Sequence, residues 1–137
     1  MGNVVLGFSK FKKYVSFFHD GSLLDVNQTD NKIDLNLESA ELRPEWNFDR
    51  IPLSKNNTLK GILHLEGVTQ ISENGIHIKQ FRKLYETNDI SSMRIYHNKL
   101  IVLILWIVQE GLRWKYSDLY TYDFSIKSFY WENIPNL

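Results

Sequence analysis

Four groupings in the chain have the residue types and spacing that chemistry can use. His19 and Asp20 are adjacent, and a carboxylate that orients an imidazole is the elementary unit of general acid–base catalysis, here a small hydrolase. His64 and Glu66 stand two residues apart, which on a strand places both on one face as two metal ligands. Glu38, Glu41 and Glu45 are carboxylates of the kind that cleave glycosidic bonds when held roughly 5 Å or roughly 6.5–9.5 Å apart. Trp106, Trp114, Tyr120 and Tyr122 belong to a C-terminal region in which nine of the nineteen aromatics fall between Trp106 and Trp131. Such a set could line a small-molecule cavity.

Each grouping also has a plainer account. Neighbours in a chain rarely face one another, and the Gly21-Ser22 that follows makes Asp20 a turn residue bonding backbone amides. His64 and Glu66 have no third ligand nominated by the sequence. A packed core uses aromatics as readily as a ligand cavity does. There is no Gly-x-Gly-x-x-Gly, no P-loop and no Gly-x-Ser-x-Gly elbow. No catalytic residue, metal or cofactor is therefore expected, and a non-enzymatic protein is favoured.

The glutamates sit in a charged tract. Asp20, Asp25, Asp30, Asp34, Glu38, Glu41, Glu45 and Asp49 face only Lys32, Arg43 and Arg50 over residues 20–50. A tract of this kind is a solvated face or a surface for a cationic partner. On the second reading Asp34, Asn36, Glu38, Glu41 and Glu45 form the partner-binding face, and the partner is a basic protein.

Composition narrows the classes. Sixteen basic and sixteen acidic residues cancel over 137 residues, whereas broad nucleic-acid binding needs a basic face. Lys79, Arg82, Lys83, Arg94 and Lys99 make only a modest cluster, so nucleic acid is not expected. The absence of cysteine removes disulfides and thiolate sites. Residues 1–7 have no basic region ahead of a long apolar stretch, and Leu6 spoils the myristoylation pattern at Gly2. A cytoplasmic chain without a membrane span is expected.

The elements that must position these residues are strands. Residues 100–108 (Leu-Ile-Val-Leu-Ile-Leu-Trp-Ile-Val) are nine apolar residues in a row, too short for a bilayer, which takes about 20. They read as a strand buried on both faces near the middle of a sheet. Ile33, Leu35 and Leu37 alternate with Asp34, Asn36 and Glu38, predicting a half-buried antiparallel strand with an acidic outer face. Residues 23–26 predict its hairpin partner. Strands are also predicted at residues 59–66, continuing through a bulge at Gly67 to residues 68–71, at 76–78 after the Glu73-Asn74-Gly75 turn, and at 93–96. Residues 112–116, 119–124 and a last strand starting at 129–131 complete the set. Residues 88–92 read as a loop.

Phe8, Phe11, Val15 and Phe18 fit one face of a helix capped by Ser9, although a strand over residues 14–19 competes. Residues 78–85 fit helix and strand alike. Trp46 and Phe48 lie in an irregular loop and are expected to fold back onto the body. The sum is a mainly β, single-domain antiparallel sandwich or barrel with one or two short helices. A homodimer through an uncovered edge strand is compatible with this pattern.

Several segments, taken in order, add a resemblance. Phe18-His19-Asp20-Gly21-Ser22, Leu37-Glu38-Ser39-Ala40-Glu41, residues 59–65, Asn98-Lys99-Leu100 leading to Trp106, and Tyr130-Trp131-Glu132-Asn133-Ile134-Pro135 resemble uncharacterised small bacterial β-rich proteins. The Phe-His-Asp start before strands is also similar to immunity proteins that neutralise polymorphic toxins. In such proteins an acid often precedes the Trp that ends a strand, where this chain has Leu105. The resemblance implies one domain of undetermined activity, encoded beside the gene of a toxin, and carries over no functional residue.

Overall fold

A computed structural model describes residues 4–137; the reading made at Gly2 lies outside them. Ten strands form two antiparallel five-stranded sheets. They are β1 (Val5–Leu6), β2 (Ser22–Thr29), β3 (Lys32–Glu41), β4 (Thr58–Glu66), β5 (Gln70–Glu73), β6 (Ile76–Ile78), β7 (Thr87–Tyr96), β8 (Lys99–Glu110), β9 (Arg113–Ser125) and β10 (Ser128–Asn133). The first sheet runs β1-β10-β4-β3-β2 and the second β6-β5-β9-β8-β7. Neither closes on itself, so the fold is a β sandwich rather than a barrel.

Period-two alternation builds the core. Ile33, Leu35 and Leu37 from β3, Leu63 and Leu65 from β4, and Phe129 and Trp131 from β10 are buried against Leu100, Val102, Ile104 and Trp106 from β8 and Tyr122 and Phe124 from β9. The strand β8 does lie inside its sheet, but only one of its faces is fully buried. Ile101, Leu103, Leu105 and Ile107 are half-buried on the outer surface, because among the described residues no layer packs over that sheet from outside.

The aromatic segment near the N-terminus is helical. A four-residue α1 (Phe8–Phe11) passes into a 3-10 stretch, Lys12–Phe18. Its start has Gly7 at the cap and no side-chain cap bond, so Ser9 does not cap it. Phe11 stacks on Trp131 with ring centroids 5.1 Å apart, and Phe18 meets the same indole edge-on at 5.5 Å. Phe8 instead stays at the surface against Phe129.

Other departures have local causes. Gly67, at φ +63°, ends β4 and redirects the chain, so β5 belongs to the other sheet instead of continuing β4 through a bulge. Residues 88–92 are strand, part of β7, because the polar Asn88 is buried by bonding across the sandwich: its Oδ1 accepts from Leu23 N at 2.9 Å and its Nδ2 donates to Leu23 O at 2.7 Å. The two strands expected over residues 112–124 are one strand with a bulge. Beyond β6, residues 79–86 are irregular, held partly by Gln28, whose amide bonds Lys79 O and Phe81 N. Trp46 does fold back, stacking on Phe17 at 5.7 Å, whereas Phe48 stays exposed. No helix among the described residues is long and apolar enough to cross a membrane.

Candidate functional site

The outer face of the first sheet gathers the acidic residues into a lattice. Cross-strand pairing sets its rows: Asn27, Asp34, His64 and Tyr130 form one, and Asp25, Asn36, Ile62 and Glu132 the next. Glu38 opposite Lys60 makes a further row, Glu41 opposite Thr58 extends it, and Lys32, Glu66 and Ser128 lie at the other end. Asp25, Asp34, Glu38, Glu41, Glu66 and Glu132 thus share a face with two lysines, Lys32 and Lys60. Parity decides most of this: Asp34, Glu38, Glu66 and Glu132 alternate with buried residues and so point outward, while register shifts beside Asp25 and Glu41 bring those two to the same face.

His64 is the hub. Its Nδ1 lies 2.7 Å from Asp34 Oδ1 and its Nε2 2.9 Å from Glu132 Oε1. A neutral imidazole donates through one nitrogen only, so satisfying both contacts takes the imidazolium or one protonated carboxyl. The ring stacks on Tyr130 at 4.5 Å and 18°, and the His64 side chain is 16% exposed. Burial, and then the charges of Glu66, Asp34 and Glu132, hold the Tyr130 phenol above its ordinary pKa. A depression of about 310 Å³ opens here, lined by Asn27, Thr29, Lys32, Asp34, His64, Leu65, Glu66 and Tyr130.

Of the five residues expected to bind a partner, Asp34, Asn36, Glu38 and Glu41 lie on this face; Glu45 is apart, in the 3-10 turn Pro44–Trp46. Asn36 Oδ1 is covered and accepts no bond from the described residues. Asp25 joins the face through the β2–β3 hairpin, opposite Asn36, and Glu66 and Glu132 join it through pairings of long sequence separation, which one-dimensional spacing does not display. The two ligands considered in His64 and Glu66 diverge, since Glu66 turns to Lys32 at 3.9 Å. Among the described residues no three side chains are grouped to hold a metal ion.

The aromatic quartet does not converge. Trp106 and Tyr122 are fully buried, and the indole N–H donates to the Tyr122 hydroxyl at 3.2 Å. Burial above all pushes the Tyr122 phenol up. These two rings fill the space between the sheets that an enclosed ligand would need. Tyr120 stacks beside Tyr122 at 6.2 Å, but Trp114 is at the surface, further along β9.

His19 and Asp20 are both exposed, 3.6 Å apart. The His19 Nδ1 contacts the Ser91 carbonyl, and Asp20 holds a left-handed turn at φ 67°. Both therefore serve the junction where the chain passes from the helical segment to β2. Neither a protein-family model, nor a curated protein, nor a solved structure matches this chain.

Proposed function

We propose that this protein is a non-enzymatic binding protein that engages a basic protein partner through the outer face of its first sheet, as an immunity protein engages a toxin. The observation that carries the reading is the lattice itself: six carboxylates around His64 and Tyr130, with Lys32 and Lys60 the lysines among them. A rigid sheet holds these charges at fixed spacing, so little ordering is needed on binding. A face with an excess of one sign raises association rates with an oppositely charged partner, by about 10- to 1000-fold at low salt. Tyr130 adds an aromatic anchor of the type enriched at interface centres.

The test begins with capture of partners from the source cell's lysate at low and moderate salt. A basic protein held at low salt and released by moderate salt is expected. Asp25→Lys with Glu66→Lys, changes away from the His64 contacts, should then slow its association about tenfold and flatten the salt dependence. An unchanged association rate would falsify the assignment of this face.

A further inference from the structure

The hairpin of β8 and β9 runs past its neighbours. β7 pairs with β8 no further than Ile107, and β5 meets β9 only over residues 122–125. Residues 113–120 therefore have β8 on one side and, among the described residues, no strand on the other. The same arm carries a run of exposed apolar groups. Leu112 is fully exposed, and Trp114 and Tyr116 are 60% and 61% exposed. Trp114, Tyr116 and Leu119 stand opposite Gln109, Ile107 and Leu105, extending the apolar outer surface of the second sheet. An unpaired edge beside exposed apolar side chains is a template for another strand.

A bulge divides the free stretch. Ile107 pairs with Tyr116 and Leu105 with Leu119, so Trp106 faces Ser117 and Asp118 together, and its N–H donates to Ser117 Oγ at 3.0 Å. Side-chain alternation shifts by one across it. Trp114 and Tyr116 consequently share the outer face with Leu119, while Arg113 and Lys115 share the other with Tyr120. Arg113, Lys115 and Asp118 take part in no ion pair among the described residues.

We infer that this edge joins two copies of the chain, antiparallel, about a two-fold axis at the bulge. Such pairing sets Trp114 of one copy opposite Leu119 of the second, Lys115 opposite Asp118, and Arg113 opposite Tyr120. Residues five apart in a regular strand lie on opposite faces, so the pairing of Trp114 with Leu119 depends on the bulge. A lone bulge deters edge pairing by twisting the strand away; here the two-fold relation sets the Ser117–Asp118 bulge of each copy against Tyr116 and Lys115 of the other, so both strands carry the same irregularity. A second copy is the fitting occupant because reversing the segment brings Lys115 to its own Asp118 and the Trp114 indole to its own Leu119.

Sedimentation equilibrium on the full chain from micromolar to millimolar concentration tests this. A monomer–dimer equilibrium is expected, with the Trp114, Tyr116 and Leu119 amides gaining hydrogen-exchange protection in the dimer. Lys115→Asp should weaken association about tenfold, because symmetry turns two attractive cross-strand pairs repulsive. Lys115→Asp with Asp118→Lys should recover it to within about threefold. Trp114→Asp should remain monomeric with unchanged circular dichroism; if that variant unfolds, the charge exchange decides alone. A wild-type monomer throughout, or a charge exchange no better than the single variant, overturns the inference. Both readouts are independent of the acidic face.

Discussion

The His64 Nε2 lies 2.9 Å from Glu132 Oε1 although 68 residues separate the two along the chain. Glu132 is diagonal to His64 across β4 and β10, whereas Tyr130 is directly opposite and supplies the stacked ring. With Asp34 on the other side, one imidazole ties three strands together. Replacing it leaves the Asp34 and Glu132 carboxyl groups near each other with no imidazole bonded between them. His64→Leu is expected to lower stability by about 1–2 kcal/mol, the surface position limiting the loss. Urea unfolding should show the deficit shrinking as salt rises, because screening acts on both states.

Gly61 permits that arrangement. A Cβ at this position would lie 2.1 Å from the Glu132 carbonyl oxygen and 2.9 Å from Trp131 Cζ2. Backbone cannot withdraw without breaking the β4–β10 pairing. Gly61→Ala should cost about 3 kcal/mol or more, an overpacking penalty at the upper end. Thermal unfolding followed by Trp fluorescence would read it, and a near-normal melting temperature would contradict the close approach.

Asn88 links the sheets by bonding both backbone groups of Leu23. Asn88→Ala leaves a buried amide and a buried carbonyl without partners, at a cost of about 2–3 kcal/mol. Asp20 N to Ile90 O and Ile90 N to Gly21 O, each 2.8 Å, continue the same junction. Hydrogen exchange at Leu23 and Ile90 should accelerate together in the variant; acceleration at Leu23 alone would show two separate contacts.

Asp89 gives a pH signature. Burial raises its carboxyl pKa, the charge of Asp20 adds to the rise, and His19 opposes it. A folded-state value above the unfolded one means that ionisation costs stability, so this group favours folding below the carboxyl range and opposes it at neutral pH. Asp89→Asn should be more stable than the parent at pH 7, with the gap closing as pH falls through that range. Urea midpoints at neutral and acidic pH check the sign. A gap that widens on acidification would contradict it.

The strands and the direction of their faces were legible in the chain. Ile33, Leu35 and Leu37 against Asp34, Asn36 and Glu38 specify a buried face and an acidic one, because a side-chain period of two admits no third arrangement. The turn at Asn74-Gly75 is equally local: both residues take positive φ, 52° and 82°. Apolar runs were less informative. Residues 100–108 carry apolar groups on both faces, so periodicity could not show that one face of β8 meets no second layer. The polar Asn88 hid the first half of β7, residues 88–92, since its partner is a backbone segment remote in sequence.

Membership of the face around His64 was decided by tertiary pairing. Glu132 reaches it through β10, remote in sequence, and spacing along one strand points instead to Glu66, which turns to Lys32. The sandwich rather than the barrel was settled in the same way, by Gly67 sending the chain into a second sheet. Local sequence sets which way a side chain points. Which strands lie side by side depends on contacts between distant segments, and those contacts placed His64 between Asp34 and Glu132.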